Sequence, residues 1–332
     1  MLKISRKGKP MSGVDGKIES KPHFLPSLLL FFKGIAMGVG DSIPGVSGGT
    51  IAVITNIYEE LIQSLSKIDI TALKLFFSGS FNKFWLHING KFLFTLALGI
   101  LAGLLVSANS ILYLLENRFE VLMAFFMGLV FSSVWFLKSE VDWGAWKNGL
   151  AALLGLLVAI AVSMIPPQLA AINYLTIFFS GMVAICAMIL PGLSGAFILL
   201  ILGVYEFILS ALTSIQLDFI LVFVAGCAIG LLSFTHLLAW LLKSYHALAY
   251  SVICGMLLGS INSLWPWQKI NASYTNSAGE LQHLTSQNLS PFSYSELTGN
   301  EPYFWAALAS LFVGFLVVVI LHMGFESRSG DN

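Results

Sequence analysis

The sequence contains the same helix-breaking segment twice, each time within its most apolar stretches. SIPGVSGGT lies at 42–50, and the related ILPGLSGAF lies at 189–197. Both segments contain proline, which removes a backbone donor, and glycine, which loses the most conformational freedom on folding, so both interrupt helices. Any fold of this chain must therefore accommodate two such breaks in apolar surroundings.

The apolar composition requires a membrane as the surrounding solvent. Hydrophobic residues make up 57% of the 332 residues and charged residues 10%, and the mean hydropathy is +0.85. Several apolar stretches are long enough to span a hydrocarbon core of about 30 Å. We predict an all-α polytopic membrane protein. Lipid cannot satisfy the backbone groups that a break releases, so both breaks must be buried in protein or line a wet cavity.

Metal and cofactor sites are not indicated. Cys186, Cys227 and Cys254 lie in apolar stretches without CxxC spacing, which is typical of small packing residues. The six histidines are scattered and form no HExxH or comparable ligand pair. We therefore predict no cofactor and no metal.

The two segments belong to a longer internal repeat. At an offset of 147 residues, 43–62 matches 190–209, including the Pro, Gly, Ser and Gly of the motif and a later Tyr–Glu pair. At an offset of 127 residues, 92–105 matches 219–232. Some 20 extra residues in the first half, roughly 67–89, account for the difference. Two matches in the same order indicate an internal duplication.

Each repeat half is predicted to contain a broken helix pair followed by two long apolar spans. The pairs are 25–42 with 47–66 and 172–189 with 194–214, with PGxSG at the tip of each helix–break–helix hairpin, which is either re-entrant or fully spanning. The chain then divides into a disordered basic cytoplasmic tail (1–24), the first repeat half (25–140), a linking transmembrane span (141–170), the second half (171–268), an outer-face loop (269–302), a last transmembrane span (303–323) and a cytoplasmic tail (324–332).

The number of crossings between the copies fixes their relative orientation. Three spans separate the motifs if each pair enters and leaves by one face, and five separate them if both members cross. Both numbers are odd, so the prediction is an inverted-topology repeat, as in many secondary transporters. With both termini cytoplasmic, fifteen Lys and Arg residues lie inside and only Arg118 and Lys269 lie outside, which satisfies the positive-inside rule.

The motif is predicted to form an anion site. Ser47 and Ser194 are expected to cap the helices that follow the breaks, leaving the next N–H groups open. Such helix N-termini bind anions, phosphate above all. A tight hairpin whose glycines permit close helix packing is the alternative. The candidate substrate-binding residues are Lys33, Asp41, Ser47, Gly48, Gly49, Thr50, Arg118, Ser194 and Gly195.

Ionisable residues within apolar stretches are costly and are therefore candidates for coupling. Glu59 and Glu206 coincide in the repeat and are candidate proton carriers, with solvated carboxylates at a helix end as the alternative. His236 aligns with Asn109 and is predicted to face the interior as a candidate proton relay.

Two cationic side chains each have two interpretations. Lys33 either reaches a bound phosphate or extends to the cytoplasmic face. Arg118 either receives an anion from outside or pairs with Glu116 or Glu120.

The pattern favours a transporter. We find no nucleophile–base pair, no paired catalytic carboxylates and no metal cluster in the sequence, so the protein is predicted not to be an enzyme. An intramembrane lipid phosphatase and a secondary transporter of another anionic solute are the alternatives. An ion channel would need rings of charge or carbonyl filters, which nothing in the sequence demands.

Three segments resemble the bacterial polyprenyl-phosphate transporters of the PopT type, a family formerly described as a domain of unknown function: MGVGDSIPGVSGGTIA, AMILPGLSGAFILLILGVYE and LLKSYHALAYSVICGMLLGSINSLWPW. The match covers about residues 28–270. It implies a bacterial inner-membrane protein that returns undecaprenyl phosphate from the outer to the cytoplasmic leaflet, so that this carrier of peptidoglycan and other envelope polymers is reused. The implied partners are this lipid and the surrounding membrane lipids, without nucleic acid, and a homo-oligomer is left open.

The second motif departs from the family pattern, because Ala196 and Phe197 stand where a second small or hydroxyl residue is common. The first loop, with Gly49 and Thr50, is therefore the stronger candidate for holding the phosphate. The predicted mechanism is alternating access around a phosphate site at the membrane midplane.

Overall fold

The computed structural model describes residues 27–41, 47–165, 171–275 and 281–329. Helices dominate the described chain, with a short 3-10 turn at Lys138–Glu140. The helices and strands are α1 (Ser27–Asp41), α2 (Gly48–Ile54), α3 (Tyr58–Ser66), α4 (Ile70–Phe77), α5 (Phe81–His87), α6 (Gly90–Asn117), α7 (Phe119–Leu137), α8 (Trp146–Met164), α9 (Tyr174–Ile189), α10 (Gly195–Ile201), α11 (Tyr205–Thr213), α12 (Leu217–Ser244), α13 (His246–Ser260), β1 (Gln268–Thr275), β2 (Leu281–Asn288), α14 (Pro291–Thr298) and α15 (Phe304–Ser329).

Several helices are long and apolar enough to cross a membrane. Within the described residues there are four, and a fifth if α10 and α11, bent by 108°, count as one broken span. The four are Gly90–Ser107, Phe119–Glu140, Trp146–Met164 and Leu217–Ser244. The prediction of a multi-pass helical membrane protein is therefore confirmed.

Within each repeat half, a glycine brings two helices into backbone contact, and the two contacts lie at matched positions. A Cβ on Gly99 of α6 would collide with the carbonyl oxygen of Phe31 in α1. At the matched positions, a Cβ on Gly226 of α12 would collide with the carbonyl oxygen of Phe178 in α9. Small residues allow such close approach between membrane helices. The pairs α1–α6 and α9–α12 thus make equivalent contacts at repeat-related residues.

A second set of helix pairs joins each repeat half to a helix that lies outside it. The linking helix α8 packs against α13, where Gly255 lies against the Ala152 carbonyl. The last helix α15 packs against α7, where Gly128 lies against the Leu311 carbonyl. Gly128 and Gly255 occupy matched positions at the 127-residue offset. In each half, this glycine therefore contacts a helix that lies outside that half.

The second member of each predicted hairpin is broken once more. We expected single helices over 47–66 and 194–214, but α2 ends before Asn56 and α10 ends before Gly203. Asn56 (φ 55°) and Gly203 (φ 67°) are repeat-related, and both adopt the left-handed conformation that these residue types tolerate. In both copies the next residue bonds back to the helix, Ile57 N to Ala52 O and Val204 N to Leu199 O, which closes a Schellman motif.

Two segments predicted only as connections have their own structure. In the predicted outer-face loop, β1 and β2 form an antiparallel hairpin in which Lys269 pairs with Gln287, followed by α14. This hairpin is a local departure from the all-α prediction, because polar strands lack the hydrophobic alternation that reveals strands in a sequence. The extra residues of the first half form α4 and α5.

Candidate functional site

The two motif segments contact each other, although more than 140 residues separate them. The Ser47 hydroxyl donates to the Met188 carbonyl at the end of α9, with 3.0 Å between the oxygens. The Gly192 N–H donates to the Thr50 hydroxyl oxygen at 2.9 Å. Ser47 and Thr50 are both buried. The structure therefore brings 47–50 together with the second loop, while Pro44 and Gly45 lie outside the described residues.

In the first copy, a carboxylate of the protein itself occupies the N-terminus of α2. Ser47 caps α2 as predicted, its oxygen accepting the Gly49 N–H at 3.1 Å. The Gly48 N–H donates to Oδ1 of Asp41, with 2.5 Å between nitrogen and oxygen. The expectation that these two N–H groups stay open is therefore wrong. The positive end of a helix attracts the nearby carboxylate, which takes the position predicted for an external anion.

The glycines of the first copy are needed for this close approach. A Cβ on Gly48 would lie 2.5 Å from Oδ2 of Asp41. A Cβ on Gly49 would collide with the carbonyl oxygen of Ile189. The packing alternative for the motif thus describes part of its role, because Gly48 makes room for Asp41 while the adjacent Gly49 makes room for the end of α9.

The second copy is capped but lacks the acid. Ser194 is half-buried and accepts the Phe197 N–H at 3.4 Å, and Gly195 is buried against the Ala184 carbonyl. The position matching Asp41 is Met188, and Phe197 replaces the hydroxyl of Thr50. The two copies therefore differ in charge and in polar groups, and the first copy carries the greater capacity for hydrogen bonding.

Lys33 lies at the far end of α2 from the motif. Its side chain is 5% exposed, and Nζ donates to the Thr55 carbonyl oxygen at 2.5 Å. The break before Asn56 releases this carbonyl, and the buried ammonium satisfies it. Burial does not fit the interpretation that Lys33 extends to the cytoplasmic face.

The two repeat-related glutamates have different surroundings. Glu59 Oε1 accepts the Tyr250 hydroxyl at 2.9 Å and lies 3.1 Å from Nε2 of His246, so it joins α3 to α13. Glu206 is exposed. The residues matching His246 and Tyr250 in the first half are Phe119 and Met123, which offer no hydrogen bond. His246 and Tyr250 are four residues apart, and this spacing is the sequence signal for the cluster. The spacing alone does not identify Glu59 as their partner.

His236 does not face the interior. It is exposed on α12, and its Nδ1 hydrogen bonds to the Leu232 carbonyl of its own helix at 2.6 Å. The side chain of Asn109 lies outside the described residues. The predicted interior position of His236 is therefore wrong, because its helix face turns outward.

Arg118 lies on the predicted outer face and binds an aromatic residue. Its guanidinium donates to the Tyr303 hydroxyl at 3.0 Å and lies 4.6 Å from the ring centroid. Glu120 is buried and accepts the Tyr294 hydroxyl at 2.6 Å. Glu120 therefore pairs with Tyr294, and not with Arg118 as one interpretation of the sequence predicts. Burial and this carboxylate raise the pKa of Tyr294 to about 12, so the hydroxyl stays a donor at neutral pH.

Several helices are long and apolar enough to span a membrane, and the contacts of Ser47 and Thr50 with Met188 and Gly192 join the two motif segments. These features define a multi-pass helical membrane protein. In the described part of the chain, no group of three or more His, Cys, Asp or Glu side chains is arranged to hold a metal ion.

The chain belongs to the undecaprenyl phosphate translocase-like family, whose model matches residues 37–282. The polyprenyl-phosphate transporter of Vibrio cholerae is 39% identical over 299 residues, which cover 90% of this chain and 96% of that protein. The polyprenyl-phosphate transporter of Staphylococcus aureus is 30% identical over 252 residues, covering 70% of this chain and 84% of that protein. No solved structure matches the chain. The family resemblance found in the sequence is thus confirmed.

Proposed function

We propose that this protein translocates undecaprenyl phosphate, or a similar polyprenyl phosphate, from the outer to the cytoplasmic leaflet of the bacterial inner membrane. The lipid carrier then becomes available again for the synthesis of envelope polymers. Family membership and the names of the two relatives support the substrate class. The direction follows from the need to recover a carrier that is released on the outer side.

The contact between the two motif segments is the observation that carries the proposed site. Ser47 and Thr50 of the first segment bind Met188 and Gly192 near the second, so a head group bound there touches both halves. The Gly48 N–H already binds a carboxylate oxygen, and a phosphate oxygen is an acceptor of the same kind. In this proposal phosphate displaces Asp41 from Gly48.

The lipid tail needs no path through the protein. Each buried CH₂ contributes about 0.8 kcal/mol to membrane affinity, so a long polyprenyl chain stays in the bilayer throughout. Only the charged head group must cross the hydrocarbon core, where an unpaired charge is expensive. A site that alternately opens to each leaflet supplies that protection without any covalent chemistry.

The inverted repeat is part of the proposal. The equivalent glycine contacts of α1–α6 and α9–α12 support two halves of the same construction, and the odd number of predicted spans gives them opposite orientation. Both termini are then cytoplasmic. Single cysteines introduced at positions 80 and 280 should react with impermeant reagents from the inner and outer face, respectively. Reaction of both from one face would contradict the orientation.

The decisive experiment measures the leaflet distribution of undecaprenyl phosphate in liposomes with purified protein. Wild-type protein should equilibrate the lipid between leaflets, whereas Gly48→Leu should not, because its side chain would fill the space beside Asp41. Ser47→Ala, which removes a cap of about 0.5–2 kcal/mol, should weaken lipid binding more than the matched Ser194→Ala. Release of inorganic phosphate would indicate a phosphatase instead, and competition by small anions a solute transporter.

A further inference from the structure

The first repeat half contains a helical pair that the second half lacks. Between α3 and α6 the chain forms α4 and α5, joined by a turn with Gly79 at φ 71°. In the second half, α11 ends at Thr213 and α12 begins at Leu217, with only a short link between them. The α4–α5 pair (residues 70–87) is therefore not required by the repeated construction and needs its own explanation.

This pair lies at the end of a membrane span and cannot itself cross the bilayer. The helices have 8 and 7 residues, so each is about 10–12 Å long at 1.5 Å per residue. The hydrocarbon core is about 30 Å thick. The next helix, α6, begins at Gly90, which is also the first residue of a candidate span. The α4–α5 pair is thus continuous with the membrane boundary.

Large apolar side chains of the pair have no protein packed over them. Ile70 is 73% exposed, and Phe77 and Leu86 are each 79% exposed. Ile70 and Phe77 are seven residues apart on one face of α4, while Ala72 on another face is buried. Leu73, Phe76, Phe81 and Trp85 are also exposed. Apolar patches of this kind mark interaction surfaces.

The two helices present these side chains as one surface. The Phe76 ring packs edge-on against Phe81 and Phe84, with ring centroids 5.5 and 5.4 Å apart. These contacts hold α5 beside α4 and place the exposed rings of Phe76 and Phe81 next to each other across the two helices.

Basic residues lie within and on both sides of this segment in the sequence. Lys67, Lys74, Lys83 and Lys91 are exposed, and Asp69 is the only acid between 67 and 91. Asp69 accepts the Ala72 N–H at 2.9 Å and lies 3.2 Å from Nε2 of His87. The segment therefore has a formal net charge of +3 with neutral histidine. Lysines around an apolar face are typical of helices that lie in an anionic membrane interface.

We propose that the α4–α5 pair lies in the headgroup–acyl boundary of one leaflet and binds anionic lipid headgroups through its lysines. A second copy of the same surface is a poor occupant, because it would oppose two sets of lysines. A soluble partner does not account for an apolar face beside the end of a span. Assignment to the cytoplasmic leaflet rests on the proposed orientation, whereas the membrane contact does not.

Labels on the apolar face test the depth of the pair. Spin labels are placed on Phe77→Cys and Leu86→Cys, with Ser139→Cys in an exposed turn as the control, after replacing the three native cysteines with alanine. The full-length protein is reconstituted in equal parts of phosphatidylcholine and phosphatidylglycerol. Labels at 77 and 86 should collide more with oxygen, which concentrates in lipid, and the label at 139 more with a water-soluble nickel chelate. Preferential nickel collisions at 77 and 86 would overturn the proposal.

A charge variant tests the lipid preference. The variant carries Lys67→Gln, Lys74→Gln and Lys83→Gln, and its matched control carries Lys147→Gln, Lys243→Gln and Lys269→Gln. Energy transfer from a donor at position 77 reports enrichment of a phosphatidylglycerol probe over a phosphatidylcholine probe. The enrichment should fall severalfold in the first variant and stay constant in the control. Undiminished enrichment in the first variant, or an equal loss in both, would overturn headgroup binding by this pair. Neither readout requires translocation, so this proposal and the proposed function fail separately.

Discussion

Replacing Asp41 with Asn should tighten the binding of undecaprenyl phosphate. The Asp41 carboxylate accepts the Gly48 N–H, which is a donor that the proposed site offers to phosphate. A bound head group must displace this carboxylate, so the measured affinity reflects the difference between two anion contacts. Asn keeps the size and the acceptor oxygen of Asp but removes its charge.

The expected magnitude follows from the strength of charged and neutral hydrogen bonds. A hydrogen bond to a charged group contributes about 1.5–3 kcal/mol, and a neutral one about 0.5–1.5 kcal/mol. The substitution therefore weakens the competing contact by about 1–1.5 kcal/mol. Since 1.4 kcal/mol corresponds to a tenfold change in Kd, the Kd for the lipid should fall about 5–12-fold.

Binding to purified protein in detergent checks this expectation, together with thermal unfolding without lipid. The unfolding transition shows that the Asp41→Asn protein is folded. Asp142→Asn is the matched control, since Asp142 accepts the Gly144 N–H at 3.1 Å in an exposed link outside the site. An unchanged or higher Kd in folded Asp41→Asn protein would refute competition between Asp41 and phosphate.

Three further substitutions test separate contacts. Glu59→Gln should change the pH dependence of translocation more than Glu206→Gln, because only Glu59 binds His246 and Tyr250; equal pH profiles would remove this cluster from the mechanism. Gly155→Ala should lower the unfolding temperature, because its Cβ would collide with the Val252 carbonyl, whereas Gly149→Ala in the same helix meets no atom within 4 Å and should not. Thr50→Val should leave the Gly192 N–H unpaired at a cost of about 1–3 kcal/mol and slow translocation, unlike Thr213→Val, whose hydroxyl bonds only within its helix.

Sequence patterns predict the features that repeat. The offset matches pair Gly99 with Gly226 and Gly128 with Gly255, and the structure gives both pairs equivalent contacts. The capping roles of Ser47 and Ser194 also follow from residue type, because a hydroxyl after a break is the preferred cap.

Features that depend on one tertiary contact escaped prediction. The contact between Asp41 and Gly48 joins residues seven apart in the sequence, and no spacing rule encodes it. The breaks at Asn56 and Gly203 were missed because apolar sequence continues on both sides. His236 was misassigned because an isolated histidine in an apolar helix does not reveal which face the bundle covers.

The glycine contacts have a mechanical consequence. In α1–α6, α9–α12, α7–α15 and α8–α13 the backbone of one helix touches the other, so sliding within a pair would drive a carbonyl into a neighbouring main chain. Each pair therefore behaves as a rigid strut. Within the described residues, Asn56 and Gly203 are two repeat-related positions at which a turn interrupts a helix. Bending at these turns would move α3 relative to α2 and α11 relative to α10, while the four packed pairs keep their internal geometry.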